Sequence, residues 1–206
     1  MKRYDQYCPI ARAVQVVGER WTLLVVRELV AGPKRYTDLV AGLPGIGTNV
    51  LATRLRELEA EGVVAKYRLP PPAASQVYEL TERGRGLIPV LRSLAHWGAV
   101  ALGPPPPDVA LEPGWLLNAL RMATWGAQDA IGSITFRVGD EVASVVDAEA
   151  VPGEAEDPEA IVSADPRAFY HLFVHRDYDD VAVDGDADAL ERLLDAIWPA
   201  AAPVPA

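Results

Sequence analysis

The chain has 206 residues, half of them hydrophobic and 23% charged, with one cysteine and a formal net charge of −10. That composition supports a buried core, and a lone Cys8 excludes an internal disulfide framework and a cysteine-only zinc site. The first residues lack a signal peptide's apolar stretch and nothing downstream reads as a membrane span, so a soluble cytoplasmic protein of one large or two small domains is expected.

A helix is predicted after Cys8-Pro9, with Ile10, Val14, Val17 and Trp21 at helical spacing and Pro9 in the first turn. The apolar run Trp21–Val30 predicts a second, mostly buried helix that stops at Gly32-Pro33. A short third helix is expected to begin near Thr37, with the Thr37 hydroxyl as its cap and Asp38 in its first turn, and to end by Pro44-Gly45. Between Gly47 and Gly62, Leu51, Leu55 and Leu58 make one apolar stripe that should face the core. The opposite side offers Thr48, Asn49, Ala52, Thr53 and Arg56, with Arg54 beside them. Small hydrogen-bonding residues followed by arginine suit a helix that enters a major groove, although an ordinary surface helix has the same pattern.

In Val63–Leu69, alternation puts Val63, Ala65, Tyr67 and Leu69 on one face of a strand and Lys66 and Arg68 on the other. Pro70–Ser75 reads as a turn and Gln76–Leu80 as the returning strand. Helices, a turn, a helix and a basic hairpin make a winged helix-turn-helix, with Lys66 and Arg68 placed for phosphate or the minor groove. A last helix is expected over Thr81–Leu102, kinked near Arg85 by Pro89, with Leu87, Leu91, Leu94 and Trp97 along one side. With the first helix it reads as a dimer interface; packing onto its own domain is the alternative.

Residues 1–103 carry 14 Lys and Arg against 9 Asp and Glu, a balance of +5, whereas residues 104–206 carry 5 against 20, a balance of −15. The sign changes at four consecutive prolines, Pro104–Pro107, which favour an extended spacer. We therefore expect a basic DNA-binding and dimerisation domain (1–103), a proline-rich linker (104–111) and a second domain (112–199).

Cys8-Pro9, Glu19-Arg20-Trp21, Gly32-Pro33-Lys34-Arg35-Tyr36, Gly45-Ile46, Leu51, Arg54-Leu55-Arg56-Glu57-Leu58, Gly62-Val63-Val64 and Tyr78-Glu79-Leu80-Thr81-Glu82-Arg83-Gly84 closely resemble the HxlR family of bacterial transcription regulators, over roughly residues 7–98. The resemblance implies a winged-helix homodimer on a pseudo-palindromic double-stranded DNA site, often a repressor. Gly47 stands where the family usually has serine; it is nearly as good an N-cap but lacks the hydroxyl. In several members a cysteine at the place of Cys8 senses oxidants or electrophiles. A thiol at a helix N-terminus, with Lys2, Arg3 and Arg12 near in sequence, has a stabilised thiolate, while a lone cysteine also serves as a small buried hydrophobe.

In the second half, a helix is expected from Pro113 to Trp125. Ile134, Phe136 and Val138 alternate with Thr135 and Arg137 in a strand that turns at Gly139-Asp140 into another, Glu141 to about Ala148. Pro152–Pro158 reads as an acidic loop and Ala160–Ser163 as a short strand. Asp165-Pro166 should start a helix that ends near His175, Val181–Val183 a strand, and Asp188 with Glu191 a last helix that ends near Trp198. The whole is an α+β protein. This order and the Asp165-Pro166, Val181–Asp186 and Leu190–Leu194 patterns are similar to sterol-carrier-protein type 2 domains, over roughly residues 112–198. The resemblance implies an apolar cavity for a hydrophobic effector, with Trp115, Met122, Trp125, Phe136, Phe169, Phe173 and Trp198 as candidate walls; a filled core is the other reading.

No catalytic, metal or cofactor site is expected. His171 and His175 share a helix face but lack the glutamate of a zinc-protease motif, Asp184–Asp188 misplaces its glycine for an EF-hand, and Gly42, Gly45 and Gly47 precede no phosphate-loop lysine. The competing functional readings are a redox-responsive regulator that senses through Cys8, and a lipid- or metabolite-binding module without a DNA role.

Overall fold

The computed structural model describes residues 4–72, 74–106, 111, 113–125 and 132–197. The chain divides into two compact units, Met1–Leu91 and Arg92–Ala206, with the division ahead of the proline run.

In the first unit, α1 (Pro9–Val17) starts on a proline whose missing N–H the first turn would not have used, and stops at Gly18. Trp21, at φ 78°, turns the chain into α2 (Thr22–Val30), which buries Val25, Val26 and Leu29. The two-residue strand β1 (Lys34–Arg35), too short to leave an alternating pattern, leads into α3 (Tyr36–Gly42). The expected Thr37 cap is corrected. Asp38 Oδ2 accepts the Arg35 N–H (3.0 Å), so the helix is held from its third residue and Thr37 lies inside the first turn. The helix α4 (Thr48–Ala60) buries Leu51, Leu55 and Leu58 against Val25, Val26, Leu29 and Leu39 in one cluster.

Strands β2 (Val64–Arg68) and β3 (Gln76–Leu80) complete an antiparallel sheet of order β1-β3-β2, with Val64 opposite Leu80, Lys66 opposite Tyr78 and Arg68 opposite Gln76. The predicted alternation in β2 does not hold: Val64 is buried, while Ala65 and Tyr67 are exposed. The cause lies at the root of the strand. Val63 precedes it, buried, with its carbonyl accepting the Thr81 N–H (3.1 Å), so Val63 and Val64 both reach the core and the hairpin then runs out beyond it. The Thr81 hydroxyl accepts from the Gly84 N–H (3.1 Å), capping α5 (Glu82–Arg85), and donates to the Gly62 carbonyl (2.6 Å). Gly84 has to be glycine, because a Cβ there would run into the Val63 carbonyl oxygen.

The single kinked helix expected over Thr81–Leu102 is instead two. The chain breaks at Gly86-Leu87 and restarts as α6 (Ile88–Leu102), with Pro89 in the first turn, where its missing donor costs nothing. Leu87 and Leu91 pack on the core of the first unit.

The second unit holds α7 (Trp115–Thr124), β4 (Ser133–Val138), β5 (Glu141–Val146), β6 (Glu149–Pro152), β7 (Ala160–Ala164), α8 (Pro166–His175), β8 (Ala182–Gly185) and α9 (Ala187–Ile197). Its sheet has the order β6-β5-β4-β7-β8, with β4 and β7 parallel and the remaining pairs antiparallel. The parallel pair requires a crossover after β6. Strand β6 fills the interval between the strand expected to end near Ala148 and the acidic loop expected from Pro152, and takes in Pro152 itself. The turn that creates it, Asp147-Ala148, has positive φ at both residues, the conformation of a tight hairpin turn, without the glycine that advertises one.

Helix α8 starts as expected: Asp165 Oδ1 accepts the Ala168 N–H (2.7 Å), with Pro166 at the first position. Helix α9 starts earlier than expected. Asp186 Oδ1 accepts the Asp188 N–H (2.9 Å), so Asp186 is the cap and Asp188 belongs to the first turn. Thr135, which alternates in sequence with the apolar residues of β4, is fully buried as well. Its hydroxyl is 2.9 Å from that of Ser144 and accepts the Ala155 N–H (3.2 Å), while Ser144 donates to the Gly153 carbonyl (2.8 Å). The 153–155 segment therefore covers that face of the central strand.

Candidate nucleic-acid interface

Gly47, in extended conformation, precedes α4 and offers no side chain to its first turn. The amides there remain free to bind an anion. Tyr36, the first residue of α3, donates its hydroxyl to the Thr48 carbonyl (2.7 Å) and so fixes where α4 begins.

Thr48 and Asn49 are exposed at that end, and Thr53 and Arg56 follow one and two turns later on the same side. The Thr53 hydroxyl donates to the Asn49 carbonyl (2.8 Å) and accepts from Arg56 Nη2 (3.2 Å); Arg56 Nε reaches the Ala52 carbonyl (3.3 Å). The guanidinium of Arg56 is thereby laid along the exposed face, on neutral partners.

Arg54 is not part of this face. Its side chain is only 16% exposed, with Nη1 2.8 Å from Glu57 and 3.6 Å from Glu19. Sequence reasoning placed it among the base-reading candidates, but position 54 lies three after Leu51 and four before Leu58, on the flank of the buried stripe.

On the hairpin, Lys66 Nζ stands 5.6 Å from the centre of the Tyr78 ring, and Arg68 Nε donates to the Ala74 carbonyl (2.9 Å). Cross-strand register puts both on one face with Val64, outward of it. Lys66 keeps its three donors, and Arg68 ties the loop while retaining its terminal nitrogens. The structure thus groups Thr48, Asn49, Thr53 and Arg56 on α4, with Lys66 and Arg68 on the wing, and separates Arg54 from them.

Cys8 is partly exposed at the N-cap of α1. Arg12, which the sequence set near it, instead pairs with Glu61 at the end of α4 (2.6 Å). Lys2 and Arg3 lie outside the described residues.

Of the candidate cavity residues in the second unit, four come together. Phe136 and Phe169 are 6.0 Å apart between ring centres, Phe136 and Phe173 5.7 Å, Phe169 and Phe173 4.3 Å, and Trp115 stands edge-on to Phe169 at 5.7 Å. Met122 is 36% exposed and Trp125 half-buried, while Trp198 lies outside the described residues. His171 and His175 have ring centres 5.7 Å apart, each edge-on to Tyr170. Among the described residues no cluster of three or more metal-ligating side chains occurs, and no helix is long and apolar enough to cross a membrane.

Comparison with known proteins bears on the first half of the chain. The family model of the HxlR-like helix-turn-helix matches residues 16–104. The "uncharacterized HTH-type transcriptional regulator YvaP" of Bacillus subtilis is 35% identical over 101 residues, 48% of this chain and 94% of that protein. The HTH-type transcriptional regulator YodB of the same organism is 35% identical over 91 residues, 44% of this chain and 81% of that protein. The solved reduced form of YodB is 34% identical over 45% of this chain and 92% of that one, with a TM-score of 0.41. With an exposed polar stripe on α4, a basic hairpin and relatives that are helix-turn-helix transcriptional regulators, the chain belongs, through its first half, to the HxlR-like helix-turn-helix family.

Proposed function

We propose that the protein is a homodimeric, sequence-specific DNA-binding transcription repressor. In it, the first turns of α4 read base edges in the major groove, and Lys66 and Arg68 follow the backbone toward the minor groove. The observation that carries this reading is the division of α4 into two faces: Leu51, Leu55 and Leu58 are buried, while Thr48, Asn49, Thr53 and Arg56 stand together on the side that faces outward. Thr and Asn near the start of a helix can address base edges or phosphate, and Arg56 can pair with guanine.

Two apolar faces support a dimer of two copies of this chain. Ile10 of α1 is 75% exposed beside Tyr7 and Val14, and Trp97 of α6 is 73% exposed in line with Val90 and Leu94. Exposed apolar rows at helical spacing suit a helix-to-helix contact, and two copies would set half-sites about one DNA turn apart.

The second unit serves in this reading as a sensor of an apolar small molecule. The sequence resemblance to sterol-carrier-protein type 2 domains supports this reading, and Trp115, Phe136, Phe169 and Phe173 give the unit an aromatic centre. Because these rings already touch, a ligand would enter by parting them. The −15 balance of residues 104–206 repels DNA and confines contact to the winged helix.

The test is fluorescence-anisotropy binding to the DNA upstream of the protein's own gene, with excess competitor and at two salt concentrations. Binding that resists competitor and weakens with salt is expected; no binding even at low salt would remove the reading. Apolar compounds are then screened in the same assay for release of DNA and for a change in tryptophan fluorescence.

A further inference from the structure

We infer that Arg54 is a positioning residue for DNA binding: its guanidinium, held between Glu57 of its own helix and Glu19 of the turn between α1 and α2, sets the pose of α4 on the domain and does not touch DNA. The inference rests on the proposed DNA-binding role of α4. Three observations lead to it. The Arg54 side chain rises from the flank of the Leu51, Leu55, Leu58 stripe and is 16% exposed, whereas Arg56 two residues on is exposed. Its Nε is buried with no hydrogen-bond partner, so part of the cation is removed from water and needs anionic compensation close by. Glu57 Oε2 at 2.8 Å and Glu19 Oε2 at 3.6 Å supply it, and with two carboxylates on one guanidinium the trio carries a net negative charge unsuited to a phosphate contact.

Glu19 matters most, because it belongs to another element. It sits in the turn that the left-handed Trp21 closes, where its carbonyl also accepts the Thr22 N–H (3.0 Å). The polar supports of α4 are then spread along its length: Tyr36 on the Thr48 carbonyl at the start, Glu19 on Arg54 in the middle, and Arg12 of α1 on Glu61 at the end. Hydrophobic burial is non-directional, so the apolar stripe by itself discriminates less sharply between small rotations of α4; a cation lodged beside it adds a directional constraint, since rotation would separate it from Glu19. A rotation of α4 would carry Asn49, Thr53 and Arg56 off their bases together.

The experiment uses full-length Arg54→Gln, Arg54→Lys and Glu19→Gln, with affinity for specific and competitor DNA measured through a salt series. Hydrogen exchange of the α4 amides is followed in the free protein. Arg54→Gln and Glu19→Gln are each expected to weaken specific binding by roughly three- to tenfold, the scale of coupling within one charge network. Both should keep the wild-type salt slope and speed α4 exchange. Arg54→Lys, which still pairs with Glu19 and Glu57, should recover most of the affinity. Glu19→Gln is the sharpest arm: were Arg54 a DNA contact, removing that carboxylate would free the guanidinium and raise affinity. A salt slope lowered by about one unit in Arg54→Gln, as for a lost phosphate contact, overturns the inference. So does stronger binding by Glu19→Gln, or unchanged α4 exchange in both variants. If the wild-type protein binds no DNA, the functional reading fails by itself, and the exchange rates still decide whether the clamp exists.

Discussion

Lys66→Met separates the electrostatic work of the hairpin from its folding. Methionine keeps an unbranched stem of similar length over Tyr78 and removes only the ammonium, which stands 5.6 Å from the ring centre. The lost cation–π attraction at such an exposed place is worth about 0.5–1 kcal/mol, so the variant should fold with a small loss of stability. On DNA, a lysine that neutralises one phosphate contributes about 0.9 to the slope of log affinity against log salt. Over a fourfold rise in salt, the variant's deficit should therefore shrink by about 3.5-fold, because the missing contact is worth less as counterions accumulate. The deficit should be the same on specific and competitor DNA, since a phosphate contact carries no base information. Anisotropy titrations at four or five salt concentrations, beside a urea melt, measure all three quantities. A lower affinity with an unchanged slope, or a deficit confined to the specific site, would show that Lys66 does not sit at a phosphate, and the placement of the wing would have to be abandoned.

Other outcomes follow from the same geometry. Arg56→Ala should cost about 1–3 kcal/mol on the operator if the guanidinium pairs with guanine, with the loss concentrated at one base pair; a scan of single-base operator changes reads it. Thr81→Val removes the cap on the Gly84 N–H and the donor to the Gly62 carbonyl while keeping the branched shape, and should destabilise the protein by about 1–2 kcal/mol in chemical denaturation without altering the salt slope of DNA binding. In the second unit, burial and then the hydrogen bond to Glu191 push the Tyr178 phenol up to about 12. A phenol raised in the folded state adds stability that is fully present below its unfolded value of about 10 and is lost as pH rises through the folded one. Ultraviolet titration should thus show a late-ionising component that Tyr178→Phe reduces, the remainder coming from Tyr67, whose phenol burial and then Glu79 also push up.

What the sequence revealed depended on whether a residue's neighbours along the chain decide its environment. The stripe Leu51, Leu55, Leu58 located α4 and its buried side, and Asp165-Pro166 located the start of α8, because capping and periodicity act within a turn or two. Strand β6 was hidden because the Asp147-Ala148 turn adopts its conformation under tertiary pairing with β5, not from a glycine. The facing of β2 was misread because two adjacent valines at its root are both buried, so alternation had no single starting point. The burial of Thr135 has no local signal, because Ser144, Gly153 and Ala155 are brought to it from elsewhere in the chain. On α4, residue types separate the buried stripe from the exposed polar side, but the inward turn of Arg54 rests on Glu19, thirty-five residues upstream by their numbers. Tyr36 as a support for α4 left no local signal at all.

Gly47 carries a thermodynamic consequence. With no hydroxyl at the cap, the first amides of α4 are left to water in the free protein, and the helix gives up a few tenths of a kcal/mol relative to a serine cap. A docked phosphate would take over hydrogen bonds that water held, not ones already made within the protein. Association through this end of the helix should then release ordered water without breaking an internal bond. Calorimetry on Gly47→Ser would expose the trade: a helix better sealed when alone, and a less favourable exchange when it meets the groove.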